Sequence, residues 1–255
     1  MFEQAWRKVA IYGRVVAAAV ALVATTAHSM SVTPVVVDLA MSGQRMSEIV
    51  TIENTYARPI ILEMQVQKAE YTDQGVSGTG KETDDLLVFP PQVQIAPGAS
   101  QAVRVQYVGD PDFSQSKHYF VTVAQLPVKL PEGESAVQLL YNFQIVVGVG
   151  KPDTKPSLAV KNAEVEVSDD GKALLVLVME NTSSTYGYLS GGSLQIVQKN
   201  EAGEEIFKKT MTAEQVSQEI GYGLVGAGQI RRILTPVVLP QTGGSVEASF
   251  TASKR

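Results

Sequence analysis

An all-β fold in two sandwich-sized domains is what the sequence predicts, on three observations. Short runs rich in Val, Ile, Thr and aromatic residues recur along the chain; Gly, Pro, Asn, Asp and Ser separate them; and a polar segment with two prolines, KPDTKPS (residues 151–157), splits the series near its middle. The expected strands of the first half are SVTPVVVDL (31–39), SEIVTIEN (47–54), IILEMQVQ (60–67), VFPPQVQIA (88–96), SQAVRVQYV (100–108), HYFVTVAQL (118–126) and AVQLLYNFQIVVGV (136–149). Those of the second half are LAVKNAEVEV (158–167), KALLVLVMEN (172–181), SLQIVQKN (193–200), EEIFKKTMT (204–212), QIRRILTPVVL (229–239) and SVEASFTAS (245–253). Asp169-Asp170-Gly171 and Glu201-Ala202-Gly203 fall between adjacent runs, as hairpin turns require. Only TAEQVSQEI (212–220) has the composition of a short helix.

The N-terminus reads as a cleaved secretory signal over residues 1–27. Arg7, Lys8 and Arg14 precede the apolar run VVAAAVALVA (15–24), and Thr25 and Ala27 supply small residues at the −3 and −1 positions of a cleavage site. A bilayer span needs about 20 apolar residues, so no permanent membrane anchor is expected. The expected domains are therefore residues 28–150 and 158–255, joined by the linker 151–157. Export leads to a compartment that permits disulfides, yet the chain has no cysteine, which excludes disulfides, thiolate metal sites and cysteine nucleophiles. With 21 Lys and Arg against 26 Asp and Glu, the formal charge of −5 offers no basic surface for a phosphate backbone, and no nucleic-acid partner is expected.

The motifs that could carry chemistry lack the context they need. Gly221-Tyr222-Gly223-Leu224-Val225-Gly226 spells GxGxxG, but a polar segment precedes it and Pro236 follows, where a dinucleotide site needs a buried strand and then a helix. Gly75 to Lys81 resembles a phosphate-binding loop, yet Glu82 stands where a magnesium-binding Ser or Thr belongs, so the run reads as a flexible excursion between strands. The chain has two histidines, His28 and His118, and no GxSxG elbow. His118 alternates with Phe120 and Thr122 and reads as a structural residue at a strand start. No metal-ligand spacing is present, Asp110 and Asp112 flank Pro111 in a turn, and Asn181-Thr182-Ser183 matches a glycosylation acceptor but reads as a turn. The reading is a non-enzyme without cofactor or metal.

The closing strand of the first half is different in kind. From Val137 to Val149 the odd positions are Val137, Leu139, Tyr141, Phe143, Ile145, Val147 and Val149, and no lysine or proline occurs between Gly133 and Gly150. Edge strands are ordinarily guarded by such residues, so an unguarded apolar row suggests an edge left for a partner. A sandwich strand with one face in its own core is the alternative at this point.

Asn54 at the end of SEIVTIEN, the block VFPPQVQIAPGASQAVRVQY (88–107), HYFVTVAQLP and the long strand before Lys151-Pro152 together resemble the PapD-like periplasmic chaperones of the chaperone–usher pilus pathway. The resemblance covers most of residues 30–152. ENTSSTYGYL (180–189) and GLVGAGQIRRILTP (223–236) resemble the family's second domain more loosely. It implies two immunoglobulin-like β-sandwich domains set at an angle, a periplasmic location, and pilus or fimbrial subunits and an outer-membrane usher as partners. It also implies that the chaperone lends its closing strand to complete a subunit's sandwich. On that reading Val137, Leu139, Tyr141, Phe143 and Ile145 form the donated row. Whether the free protein caps itself as a homodimer stays open, and a secreted two-domain adhesin or surface structural protein is the competing class.

Two departures from the family accompany the resemblance. Its first-strand Arg and closing-strand Lys, which grip the subunit's terminal carboxylate, have no counterpart near Thr33-Pro34-Val35 or in residues 137–149, leaving Arg104 and Lys151 as the basic candidates for an anchor. Ser116 or Lys117 stands where the family often has a Glu, so its interdomain ion pair is not expected either.

Overall fold

The computed structural model describes residues 29–127, 139–151 and 153–253. The proposed signal segment, His28 and Val137 lie outside these residues. Among the described residues ten strands come before the linker: β1 (Met30–Thr33), β2 (Val36–Ala40), β3 (Ser47–Asn54), β4 (Ile60–Thr72), β5 (Gly75–Glu82), β6 (Leu86–Phe89), β7 (Gln92–Ile95), β8 (Ser100–Tyr107), β9 (Lys117–Gln125) and β10 (Asn142–Gly150). They form two sheets, β1-β3-β8-β6 and β2-β10-β9-β4-β5, with β7 also pairing with β4. Val50, Ile52, Val103 and Val105 of the first sheet meet Leu62, Val121, Val123, Ile145 and Val147 of the second in one core. The alternation of apolar and polar residues that marked the strands is the alternation between this core and the outside.

Two of the expected strands are each broken by proline. SVTPVVVDL becomes β1 in one sheet and β2 in the other, because Pro34 has no N–H to continue a ladder and the chain crosses between sheets there. Pro90 and Pro91 separate β6 from β7 in the same way. The glycine-rich run at 75–81 is not a loose excursion; it is β5, antiparallel to β4, with Thr72 opposite Gly75. β4 runs on to Thr72 and so offers a template, and Gln67 Oε1 accepts the Gly80 N–H at 2.9 Å.

The second set is β11 (Leu158–Val167), β12 (Ala173–Asn181), β13 (Gly187–Tyr188), β14 (Gly192–Lys199), β15 (Glu205–Met211), the helix α1 (Ala213–Glu219), β16 (Leu224–Val225), β17 (Ile230–Leu239) and β18 (Ser245–Ala252). Sheets β11-β12-β17 and β15-β14-β18 enclose Leu175, Leu177, Met179, Leu194, Ile196 and Val237, and β13 pairs with β16. The helix forms where the composition predicted it. Thr212 and Gln215 make a reciprocal capping box at its start, and Val216 is its buried contact. Among the described residues no helix is long and apolar enough to cross a membrane.

Each domain ends a strand on a buried asparagine used in the same way. Asn54, fully buried, donates from Nδ2 to the carbonyls of Arg58, Ile95 and Ala96 and accepts the Tyr56 N–H. Asn181, 1% exposed, donates to the carbonyls of Thr185, Val225 and Gly226 and accepts the Ser183 N–H. An amide buried and bonded in this way cannot meet a glycosylating enzyme, so Asn181-Thr182-Ser183 is a turn anchored by its asparagine.

Candidate partner-binding edge

β10 has two unlike halves. From Val146 to Val149 it is flanked on both sides, antiparallel by β9 and parallel by β2, which also pairs with Gly150. From Asn142 to Ile145 it pairs with β9 alone among the described residues. The hydrogen-bond parity shows which groups are left over. Tyr141 C=O accepts from Gln125 N–H toward β9, and Val146 N–H reaches Val35 C=O on the other flank. Even positions therefore point away from β9, and the N–H and C=O of Asn142 and Gln144 face a side where, among the described residues, no strand pairs with them.

The side chains run out along the same line. Val149, Val147 and Ile145 are in the domain core, with Ile145 1% exposed. Phe143 is half-buried against that core, whereas Tyr141 is 46% and Leu139 66% exposed. Strand pairing starts at Asn142; Leu139 to Tyr141 continue the chain without regular pairing, where the sequence predicted strand. The structure thus brings Leu139, Tyr141 and Phe143 together at the open end of β10 and places Ile145 inside the chain's own sandwich.

The two basic candidates are elsewhere. Arg104 is on β8 in the other sheet, opposite Ile49 and Phe89, between inward-facing Val103 and Val105. Lys151 follows the far end of β10, ten residues from Tyr141, or about 30 Å at the usual strand rise. The described residues contain no cluster suited to holding a metal ion.

Where β2 and β10 meet the second domain, the contact is a polar and aromatic joint. Tyr186 and Tyr188 both donate their hydroxyls to Asp38 of β2, at 2.7 and 2.6 Å. Burial raises the pKa of both phenols, and the Asp38 charge adds to the effect, so they remain donors. The Tyr186 ring is packed over Gly148, where a Cβ would come within 2.6 Å of it. Gln229 Nε2 donates to the carbonyls of Thr72 and Gly75, Arg232 N–H to Asp73 C=O, and Ser116 N–H to Ser184 C=O. His118 is 3% exposed; its Nδ1 is 2.8 Å from the Tyr71 hydroxyl, its ring is edge-on to Tyr186 at 4.6 Å, and burial lowers its pKa to about 3. It is buried near the start of β9, inside the joint. Sequence reading missed the tyrosines, although the Tyr-Gly-Tyr alternation already placed both on one face. No local signal pointed to their partner Asp38, far away in the chain.

The model of the family described as "Pili and flagellar-assembly chaperone, PapD N-terminal domain" matches residues 29–149. No curated protein matches the chain. Among solved structures, the Salmonella enterica SafA pilin–SafB chaperone complex is similar at 14% identity and TM-score 0.49, with 90% of this chain and 99% of that one covered. The E. coli chaperone DraB is similar at 16% identity and TM-score 0.46, with coverages of 89% and 97%. The CsuC–CsuE chaperone–tip adhesion subunit complex of Acinetobacter baumannii gives 11%, 0.46, 82% and 90%. The match falls on the first sandwich, β1 to β10, and assigns residues 29–149 to the PapD N-terminal domain family of pilus and flagellar-assembly chaperones.

Proposed function

We propose that this chain is a periplasmic chaperone that holds pilus subunits by lending them the open half of β10, before an outer-membrane usher takes them over. The observation that carries this reading is the half-paired strand: Asn142 and Gln144 have outward backbone groups, and Phe143, Tyr141 and Leu139 continue the core row past the end of the sandwich. A strand of the subunit aligned beside residues 142–145 would take the backbone bonds that β2 takes further along. Alternate side chains would enter the subunit's groove. Burial of each large apolar side chain contributes roughly 1.5–3 kcal/mol, which together with the backbone bonds offsets the ordering and association costs. Val137 continues the same odd-numbered row. Ile145 supports it from within the core. Residues 1–27 supply the export signal in this reading; Arg104 lies on the other sheet and Lys151 beyond the far end of β10, so neither is beside the donated row. The family match to assembly chaperones does not favour the adhesin reading.

The test is co-purification of the tagged chain with the pilin-like subunits encoded beside it. Tyr141→Asp and Leu139→Asp are expected to leave secretion and the circular dichroism spectrum unchanged while subunit recovery falls to background. Undiminished recovery with both variants would overturn the proposal.

A further inference from the structure

The joint between the domains contains a buried group that strand donation does not use. His118 is enclosed by Tyr71 of β4, by Ser116 of its own strand's approach and by Tyr186 of the second domain, and its Nε2 has no hydrogen-bond partner. Tyr71 is itself covered by the second domain, since a Cβ on Gly226 would fall 2.3 Å from its ring. We propose that this joint is a proton-sensitive hinge: mild acid drives the two domains apart because His118 can be protonated only when the joint is open.

A neutral imidazole bonds through Nδ1 to the Tyr71 hydroxyl and leaves only an uncharged Nε2 unpaired in the closed joint. A cationic imidazole would need acceptors at both nitrogens, and the closed joint gives Nε2 none. The neighbours offer little compensation. Opposite His118, β10 presents Gly148, which carries no charge. On β9, Lys117 is turned away, with its ammonium 5.0 Å from the Phe113 ring centroid and 6.0 Å from that of Tyr107. From β4, Tyr71 offers a phenol whose pKa burial raises. Asp38 is the carboxylate that Tyr186 reaches, and it is bonded to Tyr186 and Tyr188 and not to the imidazole. Arg45 acts on the same Tyr186, and Arg231, half-buried against Gly75, adds a permanent cation to the joint. Parting the domains removes Tyr186 and uncovers Tyr71, which gives Nε2 to water.

The sign follows from linkage. The closed form holds the imidazole neutral down to about pH 3, while an exposed histidine takes its proton near 6.5. The joint is fully stable above about pH 6.5, and below it the open form gains about tenfold per pH unit, or about thirtyfold at pH 5. Because the chain has no cysteine, labels at Glu53→Cys and Glu205→Cys, one on each domain, report the interdomain distance alone. The expected result is a long-distance population that grows by about thirtyfold between pH 7.5 and 5.0 in the otherwise unmodified protein, and stays constant in His118→Asn and His118→Phe. In the unmodified protein the His118 imidazole resonance must titrate together with the distance change, a measurement that needs neither substitution to fold. An unchanged distance at pH 5, an equal response in the substituted proteins, or separate midpoints for the resonance and the distance would each overturn the hinge. None of these outcomes depends on a subunit being bound.

Discussion

β17 and the first half of β10 are each open along one flank among the described residues, and they are treated in opposite ways. β17 is the edge of β11-β12-β17, and it carries Arg231, Arg232 and, in mid-strand, Pro236. Its start is occupied as well, since the Arg232 N–H donates to Asp73 C=O of the β4–β5 turn, and the Arg232 guanidinium is held by Glu166 at 2.5 Å. The open half of β10 has none of these devices. Both strands display apolar side chains, with Leu234 and Val238 about as exposed as Tyr141. Apolar exposure therefore does not separate the two edges. What separates them is whether charge and a missing N–H prevent another strand from pairing there.

The comparison is sharpest within β10 itself. Ile145→Ala deletes a fully enclosed side chain and is expected to cost about 2–5 kcal/mol in denaturant unfolding. Tyr141→Ala, four residues away in the same row, should change stability by less than about 0.5 kcal/mol and yet reduce subunit capture strongly. If both variants lose stability equally, the row does not divide at Phe143 as described. A smaller effect on the fold, aimed at the backbone alone, comes from Gln144→Pro. The N–H it removes points outward, so the domain should lose about 1 kcal/mol or less, while capture of a subunit falls at least tenfold in a binding titration. Full binding by that variant would mean that the outward amides of β10 are not the ones a subunit uses.

Much of this was legible in the sequence, and the parts that were not have physical reasons. Period-two alternation identified β3, β8, β9 and most of the second domain, and the Thr212 to Gln215 capping pattern identified the helix, because these signals are local. Alternation does not say which sheet a strand joins, so the crossings at Pro34 and Pro90 appeared as single strands. The glycines of β5 suppressed a strand signal that long-range pairing to β4 restores. At the site, the unguarded apolar row was visible, but where it leaves the core was not: that boundary is set by β2, more than a hundred residues earlier in the chain, which covers β10 only from Val146 onward. The joint was the least legible feature. Asp38, His118 and Tyr186 come from three distant segments, and each alone looks like an ordinary surface or strand residue.

The guarded edge supplies the remaining and smallest prediction. If Pro236 keeps β17 single, then Pro236→Thr should restore an N–H in mid-strand without disturbing the core residues on either side, Thr235 and Val237. Folding stability should move by less than about 0.5 kcal/mol, as for other exposed substitutions. Self-association should rise instead, because the exposed Leu234 and Val238 would then accompany a strand able to pair with a second copy. Sedimentation velocity across a concentration series reads this directly, and Arg232 still guards the strand's start, so the shift should be modest. A variant that stays monomeric at the highest concentration would show that the arginines alone protect β17. The absence of lysine and arginine from residues 137–149, more than the absence of proline, would then be what leaves β10 available.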